Sequence, residues 1–195
     1  HGFSCISHMF KHAVCTLVSP SSTWSYGELL ARANQVAHVL TTVHNLVPGQ
    51  RVLLRGPNNP WLVACWFAVV KAGGVVVTTM PMLRAPEISK IVDSTMPSII
   101  LCDHRFATEL ADVPTSADVV TFGANIASDL SVLSVDMSSE FTNVETAADD
   151  VVLLAPTSGT TGVPKATMHF HRDVLANADT FSRHVLEPTS DDVFT

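Results

Sequence analysis

The feature that most constrains the fold is an unbroken β-branched run, Val75–Thr79, which follows directly on Gly73-Gly74. Such a run predicts a strand that is buried on both faces. A strand with one face in solvent would instead have a polar side chain at every second position. Strands of this kind occur in parallel sheets that have helices packed against each side. We therefore expect this segment to lie inside an α/β domain.

The residues around this run alternate between strand and helix signals. Strands are predicted over 51–55 and 98–102, and further strands near 119–122 and over 151–155. Asn59-Pro60 predicts a helix that runs to about Lys71, and Pro86 begins another that runs to about Met96. The capping-box spacing of Ser25 and Glu28 starts an earlier helix, whose apolar face continues until Pro48-Gly49 ends the segment. This order favours right-handed crossovers and a mostly parallel β-sheet flanked by helices on both faces.

Composition excludes several classes of protein. With 47% hydrophobic and 15% charged residues over 195 positions, the chain is too apolar to be disordered. Its 11 basic residues are scattered and its net charge is −7, so we expect no nucleic-acid partner. No apolar stretch reaches the roughly 20 residues of a transmembrane helix.

Four cysteines without a C-x-x-C pair indicate reduced thiols and a cytoplasmic location. We expect residues 1–195 to form part of one domain.

A loop rich in glycine and hydroxyl groups follows the last predicted strand, in the stretch Pro156-Thr-Ser-Gly-Thr-Thr-Gly-Val-Pro-Lys165. Its two glycines allow a tight turn with successive N–H groups directed into one concavity, and Lys165 adds a positive charge. These groups suit a polyphosphate. The alternative is an ordinary turn, since Ser, Thr and Gly dominate turns for conformational reasons. The spacing is not that of a Walker A loop, because the glycines are too close and Ala166 follows the lysine.

The string T-S-G-T-T-G-x-P-K over residues 157–165 resembles the signature loop of the adenylate-forming superfamily, which includes acyl- and aryl-CoA synthetases, peptide-synthetase adenylation domains and firefly-type luciferases. The similarity covers most of the chain from Thr23 onward. The stretches 55–60, 64–67, 71–74 and 168–175 are most similar to benzoate- and 2-aminobenzoate-CoA ligases. Ala166 stands where many members have glycine, and we expect this small residue to be tolerated.

The resemblance implies a two-step ligase that uses ATP, Mg²⁺ and CoA to convert a small carboxylic acid, aromatic in this branch, first to acyl-AMP and then to acyl-CoA. It also implies that the loop holds the ATP phosphates. The residues expected to hold them provide hydroxyl and amide donors, glycines that shape the turn, and one cation, and they are Thr157, Ser158, Gly159, Thr160, Thr161, Gly162 and Lys165. The family's adenylation lysine is expected beyond Thr195, so the catalytic residue is unknown and we expect the chain alone to be inactive.

Two histidines follow the loop. His169 and His171 are two residues apart and would face the same side of a strand, but two ligands are too few for a zinc site, so we expect no metal there. The resemblance makes His171 a candidate substrate-binding residue beside the acyl pocket, at the start of a helix from Arg172 to about Val185. Packing is the expected role of His169. The acidic pairs at 149–150 and 191–192 are expected to be solvated or to cap helices.

Two alternatives remain open at this point. The chain could belong to a fatty-acyl or aminoacyl adenylating enzyme, because all of these enzymes share the phosphate loop. It could also be a truncated, non-catalytic binding module that retains only the fold.

Overall fold

The computed structural model describes residues 16–19, 22–157 and 165–189, with side chains from Thr23 onward. A two-stranded antiparallel ribbon, β1 (Thr16–Ser19) and β2 (Ser22–Ser25), precedes the main sheet. The main sheet contains β3 (Arg51–Arg55), β4 (Val75–Thr79), β5 (Ile99–Asp103), β6 (Asp118–Phe122), β7 (Val151–Thr157) and β8 (Lys165–Phe170). The α-helices are α1 (Tyr26–Thr42), α2 (Pro60–Lys71), α3 (Ala85–Thr95), α4 (Leu130–Leu133) and α5 (His171–Asn177), and α5 continues into a π-helical segment, Ala178–Leu186.

The main sheet has the strand order β6-β5-β3-β4-β7-β8. All neighbouring strands are parallel except β7 and β8, which form an antiparallel pair at one edge. The predicted mostly parallel α/β sheet is therefore confirmed, and the fold class is α/β.

The sheet separates two apolar clusters. Along β3, Val52 and Leu54 belong to the cluster beneath α1 and α2, whereas Leu53 belongs to the cluster beneath α3. Successive strand residues point to opposite faces, so this division shows that helices cover both faces. The two described cysteines, Cys65 and Cys102, are free and buried in these clusters, as expected for packed thiols. Burial raises the pKa of the Cys102 thiol to about 12.

The helix starts agree with the sequence signals. Ser25 Oγ accepts a hydrogen bond from the Glu28 N–H at 3.2 Å, and the Glu28 carboxylate accepts one from the Ser25 N–H at 2.7 Å, which completes the predicted capping box. At α2, Asn59 Oδ1 accepts from the Leu62 N–H at 2.9 Å, and Pro60 occupies the first turn. Both helices begin where local chemistry satisfies their first N–H groups.

The predicted end of α1 is wrong. The helix stops at Thr42 rather than at Pro48-Gly49. Asn45 adopts a positive φ of 52°, and the Leu46 N–H donates to the Leu40 carbonyl at 2.9 Å. This reversal satisfies the last carbonyls of α1 and turns the chain toward β3.

A long connection between β6 and β7 packs against the amino-terminal edge of the sheet and along α1. Asn34 Nδ2 donates to the Ser139 carbonyl at 2.6 Å, and the Val144 N–H donates to the Lys71 carbonyl at 2.9 Å. In the described part of the chain, no helix has both the length and the apolar character needed to cross a membrane.

Candidate functional site

The base of the predicted phosphate loop lies where β7 ends and β8 begins. Thr157 and Lys165 are cross-strand partners, and Thr157 Oγ1 donates a hydrogen bond to the Lys165 carbonyl at 3.2 Å. Both residues are exposed. The other predicted loop residues, Ser158, Gly159, Thr160, Thr161 and Gly162, lie outside the described residues. The structure therefore places the two ends of the loop side by side and ties them together.

This loop base occupies the carboxyl edge of the parallel strands. β4 and β7 are in parallel register, with Val77 opposite Leu154. Both strands run toward the same edge, so Met80, the first residue after β4, and Thr157, the last residue of β7, both lie at this edge. In open α/β sheets, ligands bind outside the carboxyl ends of the strands, where backbone N–H groups and loop side chains converge. The position of the loop base fits an anion site of that kind.

A second feature of the same edge is a buried arginine that no sequence motif indicated. Arg55, the last residue of β3, is 1% exposed and donates hydrogen bonds to four backbone carbonyls. The acceptors are Phe106 (Nε, 3.3 Å), Met80 (Nη1, 3.1 Å), Pro81 (Nη2, 3.0 Å) and Leu83 (Nη2, 2.9 Å). Burial lowers the pKa of Arg55. The only sequence signal for this role was a charged residue that ends an apolar strand.

An ionic cluster ends the neighbouring strand β5. Asp103 is 3% exposed and accepts from Arg105 Nη2 at 2.8 Å, from Arg105 Nε at 2.9 Å and from Asn59 Nδ2 at 3.2 Å. Burial acts to raise the pKa of the Asp103 carboxyl, but the hydrogen bonds and charge of Arg105 outweigh it, so this pKa lies below its ordinary value. The cluster links the start of α2 to the end of β5 and gives the edge a fixed shape.

His171 is buried at the start of α5. Its backbone N–H donates to the Asp150 carbonyl at 3.1 Å. Burial lowers the pKa of its imidazole, and the Asp150 carboxylate acts weakly in the opposite direction. A largely neutral imidazole can exchange a hydrogen bond with a bound ligand or with the protein. The structure thus keeps His171 near the strand that carries Lys165, but it does not assign it a substrate.

His169 and His171 do not lie on one strand. His169 lies on β8 opposite Leu153, whereas His171 is already helical. The Asp173 carboxylate accepts from the Phe170 N–H at 2.9 Å, which starts the helix after residue 170. Over the described ranges, no three His, Cys, Asp or Glu side chains are grouped closely enough to hold a metal ion.

The first acidic pair, Asp149-Asp150, forms local contacts at an exposed turn and does not cap a helix. Asp149 forms an ion pair with Arg172, and the Asp150 carboxylate accepts from the Ala147 N–H at 2.7 Å. These contacts join the turn before β7 to the start of α5. The second pair, Asp191-Asp192, lies outside the described residues.

Comparison with known proteins identifies one matching family and several similar proteins. The model of the family described as AMP-binding enzyme matches residues 7–195. An uncharacterized acyl-CoA ligase, YtcI, of Bacillus subtilis is 28% identical over 174 residues, which are 88% of this chain and 33% of that protein. Benzoate-CoA ligase of Thauera aromatica is 26% identical over 180 residues, covering 90% of this chain and 34% of the ligase.

Among solved structures, ATP-bound MatB from Rhodopseudomonas palustris superposes with a TM-score of 0.82 at 26% identity, over 93% of this chain and 37% of MatB. The chain spans about a third of the length of these two ligases.

Proposed function

Because the chain belongs to the AMP-binding enzyme family, we propose that it contributes the phosphate-holding part of an adenylate-forming acid-thiol ligase. The observation that carries this proposal is the pairing of Thr157 with Lys165 at the carboxyl edge of the sheet. Their hydrogen bond holds the two ends of the loop together. The loop glycines can then direct backbone N–H groups toward a polyphosphate, while Lys165 supplies a cation.

The proposed reaction has two steps. An oxygen of the acid's carboxylate attacks the α-phosphorus of ATP, the bond to the bridging oxygen of the β-phosphate breaks, and acyl-AMP and pyrophosphate form. The sulfur of CoA then attacks the acyl carbon and loses its proton, and AMP leaves to give the thioester.

The chain's own contribution to the first step is electrostatic. A carboxylate that approaches ATP is repelled by the phosphate charges, so fixed N–H donors and the Lys165 ammonium lower the barrier by holding those charges in place. Thr157, Ser158, Thr160 and Thr161 are the proposed hydroxyl or amide donors, and Gly159 and Gly162 shape the loop. Mg²⁺ would arrive with ATP. The described residues show no acidic cluster that fits it, so we assign no step to a protein-bound metal.

We infer an aromatic acid of the benzoate or 2-aminobenzoate type as the substrate of the whole protein. The relation to the Thauera benzoate-CoA ligase and the local similarity of residues 55–60 and 168–175 support this choice. His171 is the proposed substrate-binding residue of this chain. Competition among benzoate, 2-aminobenzoate, a medium-chain fatty acid and an amino acid for acyl-AMP formation by the complete enzyme tests the inference. Preference for either of the last two would replace it with the corresponding alternative.

The loop proposal is tested by ATP titration of the 195-residue chain. Lys165→Ala removes a charge-assisted contact, which typically contributes about 1.5–3 kcal/mol, so ATP affinity should fall roughly tenfold to a hundredfold. Lys90→Ala is the matched control, because Lys90 is an exposed lysine on α3. Equal ATP affinities for Lys165→Ala and the unaltered chain would contradict the proposed function.

Turnover is a separate measurement. Because the chain covers only about a third of its relatives, we infer that it binds ATP without catalysing ATP–pyrophosphate exchange. Clear exchange by the isolated chain would contradict this inference. Failure of the complete protein to exchange pyrophosphate would favour a non-catalytic binding module.

A further inference from the structure

We propose that Arg55 is a positioning residue of the nucleotide site. Its guanidinium fixes the Met80–Leu83 turn, and that turn holds in place the base of the phosphate loop, which Thr157 and Lys165 form. The inference rests on the function proposed above for that loop. It concerns a side chain that is buried beneath the edge and does not itself reach the ligand.

The first step is the convergence of carbonyl groups on one side chain. Three of the four residues in the turn, Met80, Pro81 and Leu83, direct their carbonyl oxygens at the Arg55 guanidinium within 2.9–3.1 Å. Nε binds the Phe106 carbonyl beyond β5 at 3.3 Å. Without these donors, the Pro81, Leu83 and Phe106 carbonyls would lose these hydrogen bonds, the Met80 carbonyl would keep only the one from the Leu83 N–H, and the partial negative charges of the four carbonyls would repel one another. Arg55 therefore sets the path of the chain after β4.

The second step is the position of this turn and the loop base at the same edge of the sheet. β4 and β7 are adjacent parallel strands, paired at Val76–Leu153 and Val77–Leu154, so the turn that follows β4 and Thr157 at the end of β7 both lie at the carboxyl edge. The turn also leads directly into α3, and α3 contacts β8, the strand that begins at Lys165. The turn is thus linked to β7 through the sheet and to β8 through α3. A shift of the turn should therefore disturb both strands that carry the loop base.

The start of α3 is held from the other side by Glu109. Its carboxylate accepts from Arg84 Nη1 at 2.6 Å and from the Ala85 N–H at 3.2 Å. The turn is therefore fixed between Arg55 beneath it and Glu109 beside it. This arrangement gives the turn one defined conformation, as expected for a support that must hold a binding loop within a fraction of an ångström.

Only an arginine can make this set of bonds. Its planar guanidinium presents five N–H donors in a fixed fork, whereas a lysine ammonium has three donors around a single atom. Arg55→Lys retains the charge and most of the length, so it should fold while losing at least one carbonyl contact. Arg55→Met removes every donor. Arg51→Met is the matched control, because Arg51 lies at the opposite end of β3 and also donates to a backbone carbonyl, that of Met96 at 3.1 Å.

The test combines amide hydrogen exchange with ATP titration on the 195-residue chain, at a temperature where each variant is folded by circular dichroism. In both Arg55 variants we expect faster exchange at the non-proline residues of 80–84 and selectively at Ala155, Thr157 and residues 165–167. ATP affinity should fall about tenfold in Arg55→Met and less in Arg55→Lys. Arg51→Met should change neither the exchange at these residues nor the affinity. Selective exchange is the key readout, because a loss of general stability would accelerate exchange throughout the sheet.

The outcomes separate the two proposals. Unchanged exchange at 155–157 and 165–167 in the folded Arg55→Lys variant would overturn the positioning role, whatever happens to ATP binding. A uniform rise across all strands would also overturn it in favour of a purely structural role. If exchange at the loop base responds but the unaltered chain binds no ATP, the proposed function fails while the coupling between Arg55 and the loop base is supported.

Discussion

Three buried charged side chains among the described residues have different kinds of partner. Arg55 is surrounded by carbonyl oxygens, and the Asp129 carboxylate accepts from the N–H groups of Gly123, Ala124 and Ser131. Lys71 is different, since it is 7% exposed and the described contact of its ammonium is with Asn143 Oδ1 at 2.6 Å. A neutral amide compensates a buried ammonium only in part. Of the three, Lys71 should therefore cost the fold the most.

We expect Lys71→Met to stabilise the protein at neutral pH by about 1 kcal/mol, because replacing a poorly compensated buried charge with an apolar side chain is often favourable. Burial lowers the pKa of Lys71 in the folded state, so the unfolded chain binds more protons above that folded pKa. The unaltered protein should therefore gain stability as pH rises from the folded pKa of Lys71 to the ordinary lysine value, and Lys71→Met should lack this gain.

Urea unfolding between pH 6 and 10 measures both effects of Lys71→Met. Lys90→Met is the control at an exposed lysine and should change neither the free energy of unfolding nor its pH dependence. A destabilised Lys71→Met variant would show that the contact with Asn143 outweighs the cost of burial.

At the scale of elements, the connection from α2 to β4 depends on the lack of a side chain at Gly73. Its φ is +74°, and a Cβ there would lie 2.8 Å from Val144 Cγ1. Gly49 has a similar φ of +82° but has no atom within 4 Å of the same position. Substitution of Gly49 therefore tests backbone strain alone, whereas substitution of Gly73 tests backbone strain together with steric overlap.

Gly49→Ala should cost about 1 kcal/mol from backbone strain alone. Gly73→Ala should cost about 2–4 kcal/mol, because overpacking against Val144 adds roughly 1–3 kcal/mol. Chemical denaturation of both variants measures the difference, and adding Val144→Ala to Gly73→Ala should recover part of the loss. Equal losses of unfolding free energy for the two variants would mean that the residues around Val144 shift to accommodate the added methyl group without a measurable loss of stability.

Elements with a local cause were predictable from the sequence. Ser25 with Glu28 and Asn59 with Pro60 mark helix starts through contacts within four residues, and apolar runs marked the strands. Features set by distant contacts were not predictable. Arg55 binds carbonyls 25 to 51 residues away, and residues 134–146 pack on a surface formed by earlier helices. The helix expected from Arg172 begins one residue earlier, at His171, because the Asp173 carboxylate accepts from the Phe170 N–H.

Across the whole molecule, the strands of the main sheet differ in how deeply they are buried. All five residues of β5 are buried, whereas the first four residues of β8, including Met168, are exposed. β8 also ends the strand order, so one side of its backbone has no neighbouring strand in the described sheet. Stability should therefore decline from the centre of the sheet toward β8.

Native-state hydrogen exchange of the chain tests this decline. We expect the amides of β5 to exchange at rates close to the global unfolding limit and those of residues 165–168 to exchange at least roughly tenfold faster, because edge strands open without disturbing the core. Protection of 165–168 equal to that of β5 at high protein concentration, with its loss on dilution, would indicate pairing of this edge between copies of the chain.

The adjacency of β4 and β7 has a consequence for biosynthesis. Residues 80–150 separate these neighbours, so β7 emerges from the ribosome long after β3, β4 and β5 have become available to pair. Joining strands so distant in sequence carries a large loop-closure entropy, which is offset once the intervening residues have condensed into a preformed core. Among the described strands, β7 and β8 thus join the sheet after β3, β4 and β5, so most of the sheet would form before the base of the proposed phosphate loop.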